Sequence, residues 1–289
     1  MKKESGKALS FKRLAWIKLK KNKLALFGIV VLVILILVSI FAPLIAPYKY
    51  HEIDLYGMEA PPSSKHLLGT DDLGRDVLSR LIYGGRVSIC VGVLASISQI
   101  IIGTLAGSVA GYFGGKIDAL IMRITDIIMC FPFFIVAIVM ASFMGPSMKN
   151  IIIIIAAIYW THVARIVRAE VLALKKREFI EAARAFGLTD RQIIISHIIP
   201  NVLSPVTVYA TLAIANGILT EASLSFLGLG VKPEVPSWGN MLSAAQSMRA
   251  LQSQWWLWMP PGLLVLLTVL SINFFGDGLR DALDPKMKV

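Results

Sequence analysis

From Leu24 to Ala46 the chain carries no charged side chain, and Pro43 and Pro47 close the run. A helix rises about 1.5 Å per residue and satisfies its own backbone, so about 20 apolar residues in a row are what a bilayer demands. This run is therefore read as a membrane anchor. Its length, and an exit unlike a small-residue cleavage site, set it apart from a cleaved signal peptide. The whole composition agrees: 56% of residues are hydrophobic and 16% charged, with mean hydropathy +0.71. Soluble domains average roughly 45–50% apolar and about 25% charged. A single core of this size could not hide the surplus, so part of it faces lipid.

Five more spans follow by the same criterion. The second starts after Arg86 and stays uncharged to Gly115; the third runs from Ile121 to Met144 with Arg123 and Asp126 at its entrance and Pro132 inside. The fourth begins at Ile151–Ile155 and reaches an interface at Arg165 and Arg168. The fifth covers Val202 to Thr220, and the sixth runs from Trp255 to Asp277, opening on Trp255, Trp256 and Trp258 at headgroup level. Six spans put both termini on one side.

Basic residues choose that side. The formal net charge is +11, but 21 of the 29 Lys and Arg fall in the N-terminus, the 112–123 and 161–200 regions and the C-terminus, leaving 8 for the opposite face. Both termini are thus expected in the cytoplasm. The basic balance reads as a membrane-face signal and not as nucleic-acid binding. The expected organisation is a basic cytoplasmic segment at 1–23, a first span with an external loop at 24–86, and a five-helix core at 87–289. Phe11, Leu14, Ala15 and Leu19 share one helical face within the first segment, which suits a short amphipathic interfacial helix; for residues 1–8 a disordered basic tail is the open alternative.

Glycine recurs every fourth position in the second span, at Gly103, Gly107, Gly111 and Gly115. Such a face lets a second helix backbone approach closely, which is how spans associate without a hydrophobic drive. Chemistry is mostly conspicuous by what is missing. Gly69-Thr70-Asp71-Asp72-Leu73-Gly74-Arg75-Asp76 has the glycine spacing of a phosphate loop but Arg75-Asp76 where lysine and a hydroxyl are needed. His51, His66, His162 and His197 form no metalloprotease pair, no nucleophile elbow occurs, and Cys90 and Cys130 stand far apart in apolar runs. Asp126 and Glu221 lie near span ends, so no chain of buried carboxylates for an ion-driven carrier is visible.

One cytoplasmic segment, 177–200, is long, charged and helical in pattern. Phe179, Ala182, Ala183 and Phe186 form an apolar face with Arg177, Glu181 and Arg184 away from it. Gly187 suits a left-handed cap, Thr189 to Gln192 fits a capping box for a second helix, and Pro200 breaks the pattern before the fifth span. The pair makes either a docking knob or a hairpin folded back on its neighbours.

Glu181-Ala182-Ala183, Gly187 after three residues and the final Pro200 resemble the EAA signature of permease subunits in binding-protein-dependent ABC importers. The generic pattern has isoleucine ten residues after the glycine and leucine before the proline, where this chain has His197 and Ile199. Ser196-His197-Ile198-Ile199-Pro200-Asn201 is similar to the peptide and nickel branch. So are Gly69-Thr70-Asp71 with Gly74-Arg75-Asp76 and Ser79-Arg80, the run Glu221 to Gly230, and Pro236-Ser237-Trp238-Gly239. The resemblance implies an all-α integral membrane subunit with six transmembrane helices and a cytoplasmic coupling-helix pair, in the inner membrane of a bacterium. It further implies a homologous partner permease, two ATPase subunits holding ATP and magnesium, and an external solute-binding protein. This chain itself would hold no cofactor or metal and catalyse nothing. Glu181 would make a charged contact with the ATPase, Ala182 and Ala183 would permit close approach, and Gly187 would set the bend. Peptide is the implied cargo, nickel or a metal chelate its rival; a secondary carrier or an intramembrane hydrolase are the readings from other classes.

Overall fold

The computed structural model describes residues 19–283, and among these the only strand-like pairing is an isolated bridge between Thr70 and Asp76. Helix α1 spans Lys23–Ile40, its start capped by Asn22, whose side chain accepts from the amides of Leu24 and Ala25 at 3.1 Å each. A short turn, α2, follows at Ala42–Ile45. The interfacial helix expected around Phe11 lies almost wholly outside the described residues; Leu19, the last of its face, is buried with Ala25 and Ala282. Leu24, Phe27 and Ile34 remain more than half exposed on α1, as a lipid-facing surface requires.

Helix α3, Val77–Phe113, is the longest and most central element. It begins earlier than the uncharged run because its first turns, at Val77, Ser79, Arg80 and Leu81, are buried within protein. Arg80 there is 4% exposed, donating to the carbonyls of Tyr50 and Pro233, so the loops that carry those residues wrap a charge that hydropathy would have left exposed. The expected third span is two helices, α4 at Gly115–Cys130 and α5 at Phe133–Met144, bent by 89° across Phe131 and Pro132. Proline lacks the amide that would continue the ladder, and its neighbour avoids the helical region.

Helix α6, Met148–Leu174, continues past the arginines that marked an interface in the sequence. Arg165 reaches Asp126 at 2.5 Å, and Arg168 grips Asp118 at 2.5 and 2.6 Å, so α6 is tied to α4 by ion pairs. Two short helices, α7 at Glu178–Ala185 and α8 at Asp190–Ile193, lead through a π-turn at Ile194–Ile198 into α9, Ile199–Phe226. The segment after α9 contains α10, Trp238–Leu242, and α11, Met248–Ser253, before α12, Trp255–Leu283, closes the chain against α1. Helices α1, α3, α6 and α12 are each long and apolar enough to cross a membrane; α4 with α5, and Asp190–Leu203 with Pro205–Phe226, the latter bent by 62° within α9, qualify as bent pairs, which raises the count to as many as six.

Candidate functional site

The 177–200 segment is built from its caps outward. Helix α7 ends in a Schellman motif: Gly187 donates to the carbonyl of Arg184 at 2.9 Å, and Leu188 donates to that of Ala183 at 3.2 Å. The motif needs a left-handed residue, and Gly187 has φ +78°. Thr189 and Gln192 then exchange the two bonds of a capping box, the Thr189 amide donating to the Gln192 side chain at 2.9 Å. The expected second helix is only one turn of α8. Pro200 does not terminate it: proline occupies the second position of α9, where no backbone donor is missed, and the π-turn absorbs the extra residue.

The face that α7 turns to the protein differs from the one the sequence suggested. Ile180 is fully buried and Ala183 is 7% exposed, whereas Phe179 is 42% and Phe186 is 85% exposed. Ala182 lies on the exposed side with Glu181, so of the two expected contact alanines only Ala182 is available to a partner. Spacing alone could not rank the two apolar faces, because Ile180 belongs to neither the stripe nor the charged set. Ile180, Ile193 and Ile198 are completely covered in one cluster with Tyr112, Val167, Val171 and Val202, each burial being worth about 2 kcal/mol. Tyr112, at the end of α3, donates to Asp190 at 2.6 Å, and the Arg184 guanidinium lies 5.2 Å from its ring centre. The segment is thus fixed to α3, α6 and α9 while presenting Phe179, Glu181, Ala182 and Phe186 outward.

Three of the four repeat glycines meet α6. A Cβ on Gly103 would lie 2.4 Å from the Val163 Cβ, one on Gly107 2.5 Å from the Ala164 carbonyl oxygen, and one on Gly111 2.8 Å from the Val171 Cβ. Gly115 is not part of this seam. It follows the break at Gly114, has φ +53°, and nothing lies within 4 Å of its Cβ position. The four-residue period continued by chance past the point where the helix stops.

On the opposite end, the phosphate-loop look-alike is a structural knot. Asp71 accepts from the amides of Leu73 and Arg75 at 3.0 and 2.9 Å, and from the Arg75 side chain at 2.7 Å. Asp76 caps α3 through the Ser79 amide at 2.8 Å and pairs with His66 Nδ1 at 2.9 Å. Gly74 has its Cβ position 2.1 Å from the Asp54 carbonyl oxygen, leaving room for glycine alone. Arg75, standing where a phosphate-binding lysine would be, is consumed in holding the loop.

Sequence reasoning missed the node under this knot. Glu221, fully buried, accepts from Ser225 Oγ at 2.7 Å and from Ser88 Oγ at 2.8 Å, while Ser88 Oγ accepts from the Trp238 amide at 3.1 Å. Trp238 Nε1 donates to the Leu81 carbonyl at 3.0 Å. The Glu221–Gly230 and Pro236–Gly239 blocks therefore meet on α3. A lone glutamate followed by two serines at alternate positions was the available signal.

Residues 103–289 match the family described as binding-protein-dependent transport system inner membrane component, and residues 10–62 match the N-terminal TM domain of oligopeptide transport permease C. The chain is 46% identical to the dipeptide transport system permease protein DppC of Alkalihalophilus pseudofirmus, over 97% of this chain and 92% of that protein. It is 40% identical to the oligopeptide transport system permease protein OppC of Bacillus subtilis, over 98% and 92% respectively. Among solved structures, an inward-facing MetNI methionine ABC transporter gives a TM-score of 0.57 at 20% identity, covering 71% of this chain and 96% of that one. That likeness concerns the fold.

Proposed function

The chain belongs to the binding-protein-dependent transport system inner membrane components, and from that membership we propose that it is one of two homologous permease subunits forming the path for di- or oligopeptides. The bent pair α4–α5 and the pair Asp190–Leu203 with Pro205–Phe226 each serve as one span, so the chain crosses six times with both termini in the cytoplasm; the excess of basic residues on that face supports the orientation. Energy comes from two ATPase subunits that bind ATP and magnesium, and cargo from an external binding protein.

The observation that carries the coupling role is the outward stripe of α7. Phe179 and Phe186 are large apolar side chains left exposed on a helix whose other face is anchored by fully buried isoleucines. An apolar patch rimmed by Glu178, Glu181 and Arg184, in water on the basic face, suits a protein partner. Glu181 supplies a charged contact at its edge, and the Schellman cap at Gly187 holds the angle. Closure of the ATPases on ATP displaces this knob, and packed spans with few stable arrangements convert the shift into opening on the other side.

The test is reconstitution. With partner permease, ATPases and binding protein in proteoliposomes, peptide uptake should require ATP and every component, and nickel chloride should neither be imported nor compete. Uptake by this chain as the sole protein, driven by ATP or an ion gradient, overturns the reading.

A further inference from the structure

Midway through the membrane-crossing helices, α3, α6 and α9 enclose a cleft of about 240 Å³ lined by Gln99, Tyr159, His162, Tyr209 and Asn216. Glycines create it. Gly217 sits against Gly92, its Cβ position 3.0 Å from the Gly92 carbonyl oxygen, and Gly103 sits against Val163 and Trp160. Helix α3 is thus pinned to α9 at Gly92 and to α6 at Gly103, with Gln99 between the two crossings.

Three features mark the cleft as more than a packing flaw. Gln99 is only 2% exposed, lines the cleft, and has no hydrogen-bond partner among the described residues. Its amide is not among the sealed unpaired polar groups and so opens onto the cleft, where a guest's N–H and C=O groups can pair with it. His162 and Asn216 are exposed at the middle of α6 and α9, where lipid would be the wrong neighbour; polar side chains at that depth face a wet cavity or another polar group. Finally, the wall is ordered: Tyr159 stacks on Phe133 with ring centres 5.0 Å apart and has the His162 ring 5.9 Å away.

The chemistry of the wall selects a ligand class. No Asp, Glu, Lys or Arg lines the cleft, so it has no means to choose a charged side chain. Two amides, two phenols and one imidazole offer both donors and acceptors, which is the set that pairs with N–H and C=O groups. Those groups occur in every peptide whatever its sequence. A metal ion finds only one imidazole here, and no group of three or more His, Cys, Asp or Glu gathers elsewhere among the described residues.

We propose that this cleft is a contact site for the peptide main chain on its way through the membrane, with Gln99 and Asn216 bonding the peptide groups and Tyr159 and Tyr209 flanking them. The assignment rests on the peptide-permease reading above. It makes selection by backbone a property of the path, leaving selection by side chain to other parts of the importer.

The experiment uses the complete importer in proteoliposomes, with Ala-Ala-Ala, Ala-Lys-Ala and Ala-Glu-Ala as probes. Gln99→Leu and Asn216→Leu should each lower uptake about tenfold for all three peptides, with the ratios among them kept within about twofold. Asn216→Cys, in a Cys90→Ala, Cys130→Ala background, should react with a charged methanethiosulfonate reagent in the assembled importer, and peptide delivered by the binding protein should slow that reaction. This readout needs no change at the buried Gln99. Wild-type importer that takes up none of the peptides overturns the functional reading and this assignment with it. Wild-type uptake matched by both leucine variants, loss confined to one charge class, or an Asn216→Cys thiol sealed from the reagent by the partner permease overturns the cleft assignment alone.

Discussion

Replacing Gly107 with alanine isolates the contact between α3 and α6. The new Cβ would stand 2.5 Å from the Ala164 carbonyl oxygen, 2.9 Å from the Val167 Cβ and 3.1 Å from the Ala164 Cα. Two of these three atoms are backbone, so no side-chain rotation relieves the clash. The helices must separate by roughly 0.9 Å to restore ordinary contact, and dispersion falls steeply over such a gap along the whole glycine seam. Overpacking of this kind costs about 3 kcal/mol at the upper end of its usual range. Alanine returns about 1 kcal/mol through helix propensity, leaving a net loss of about 2 kcal/mol. In thermal melting of the purified chain in detergent this is a drop of roughly 5 °C. Leucine at the same position should lower melting further and reduce the yield of folded protein. Gly115→Ala is the control: with open space around it, it should cost only about 1 kcal/mol for its positive φ. A Gly107→Ala chain that melts at or above wild type, or one matched by Gly115→Ala, would refute the seam.

Gly187→Pro cannot adopt φ +78°, so the chain should insert normally while ATP hydrolysis stimulated by loaded binding protein is lost; wild-type stimulation in the purified complex would remove the coupling role. Phe186→Ala deletes an exposed side chain, and it should leave melting within about 0.5 kcal/mol of wild type yet weaken ATPase co-purification at least about tenfold. Glu221→Leu strands the donors of Ser88 and Ser225 and should destabilise by about 1–3 kcal/mol in the same melting assay, with Glu221→Gln recovering part of the loss. Asp71→Asn removes the charge that Arg75 and the buried Arg80 share, so protease added to the external face should cut within residues 47–76 several times faster than in wild type.

Hydropathy made most of the membrane legible because a lipid-facing helix must be apolar along its length. It failed where protein replaces lipid. The start of α3 at Val77 was hidden by Arg80 and Arg86, charges that neighbouring loops cover or leave at the surface, and the 89° break at Pro132 passed as a mark within one span. Caps were readable from single residues, as at Gly187 and Thr189, because each satisfies its bonds locally. Contacts between distant segments were not: nothing near Glu221 names Ser88 or Trp238 as its partners. Pro200 was misplaced because a helix breaker and a helix starter are the same residue, and only the path of the preceding chain tells them apart.

The helices that carry the 177–200 segment are also those that line the cleft, which gives the proposed coupling a physical route. Helix α6 runs from Tyr159 and His162 at the cleft to Val167 and Val171 in the cluster that buries Ile180 and Ile193. Its seam with Gly103, Gly107 and Gly111 leaves no slack, so α3 and α6 move as one body and carry Gln99 with them. Helix α9 offers the second route, from Val202 to Tyr209 and Asn216, but Pro205 interrupts it at a 62° bend. A displacement of the knob therefore reaches the two sides of the cleft unequally, rigidly through α3 and α6 and compliantly through α9. Unequal motion of facing walls is what opens or narrows a cleft; two equally stiff routes would only translate it.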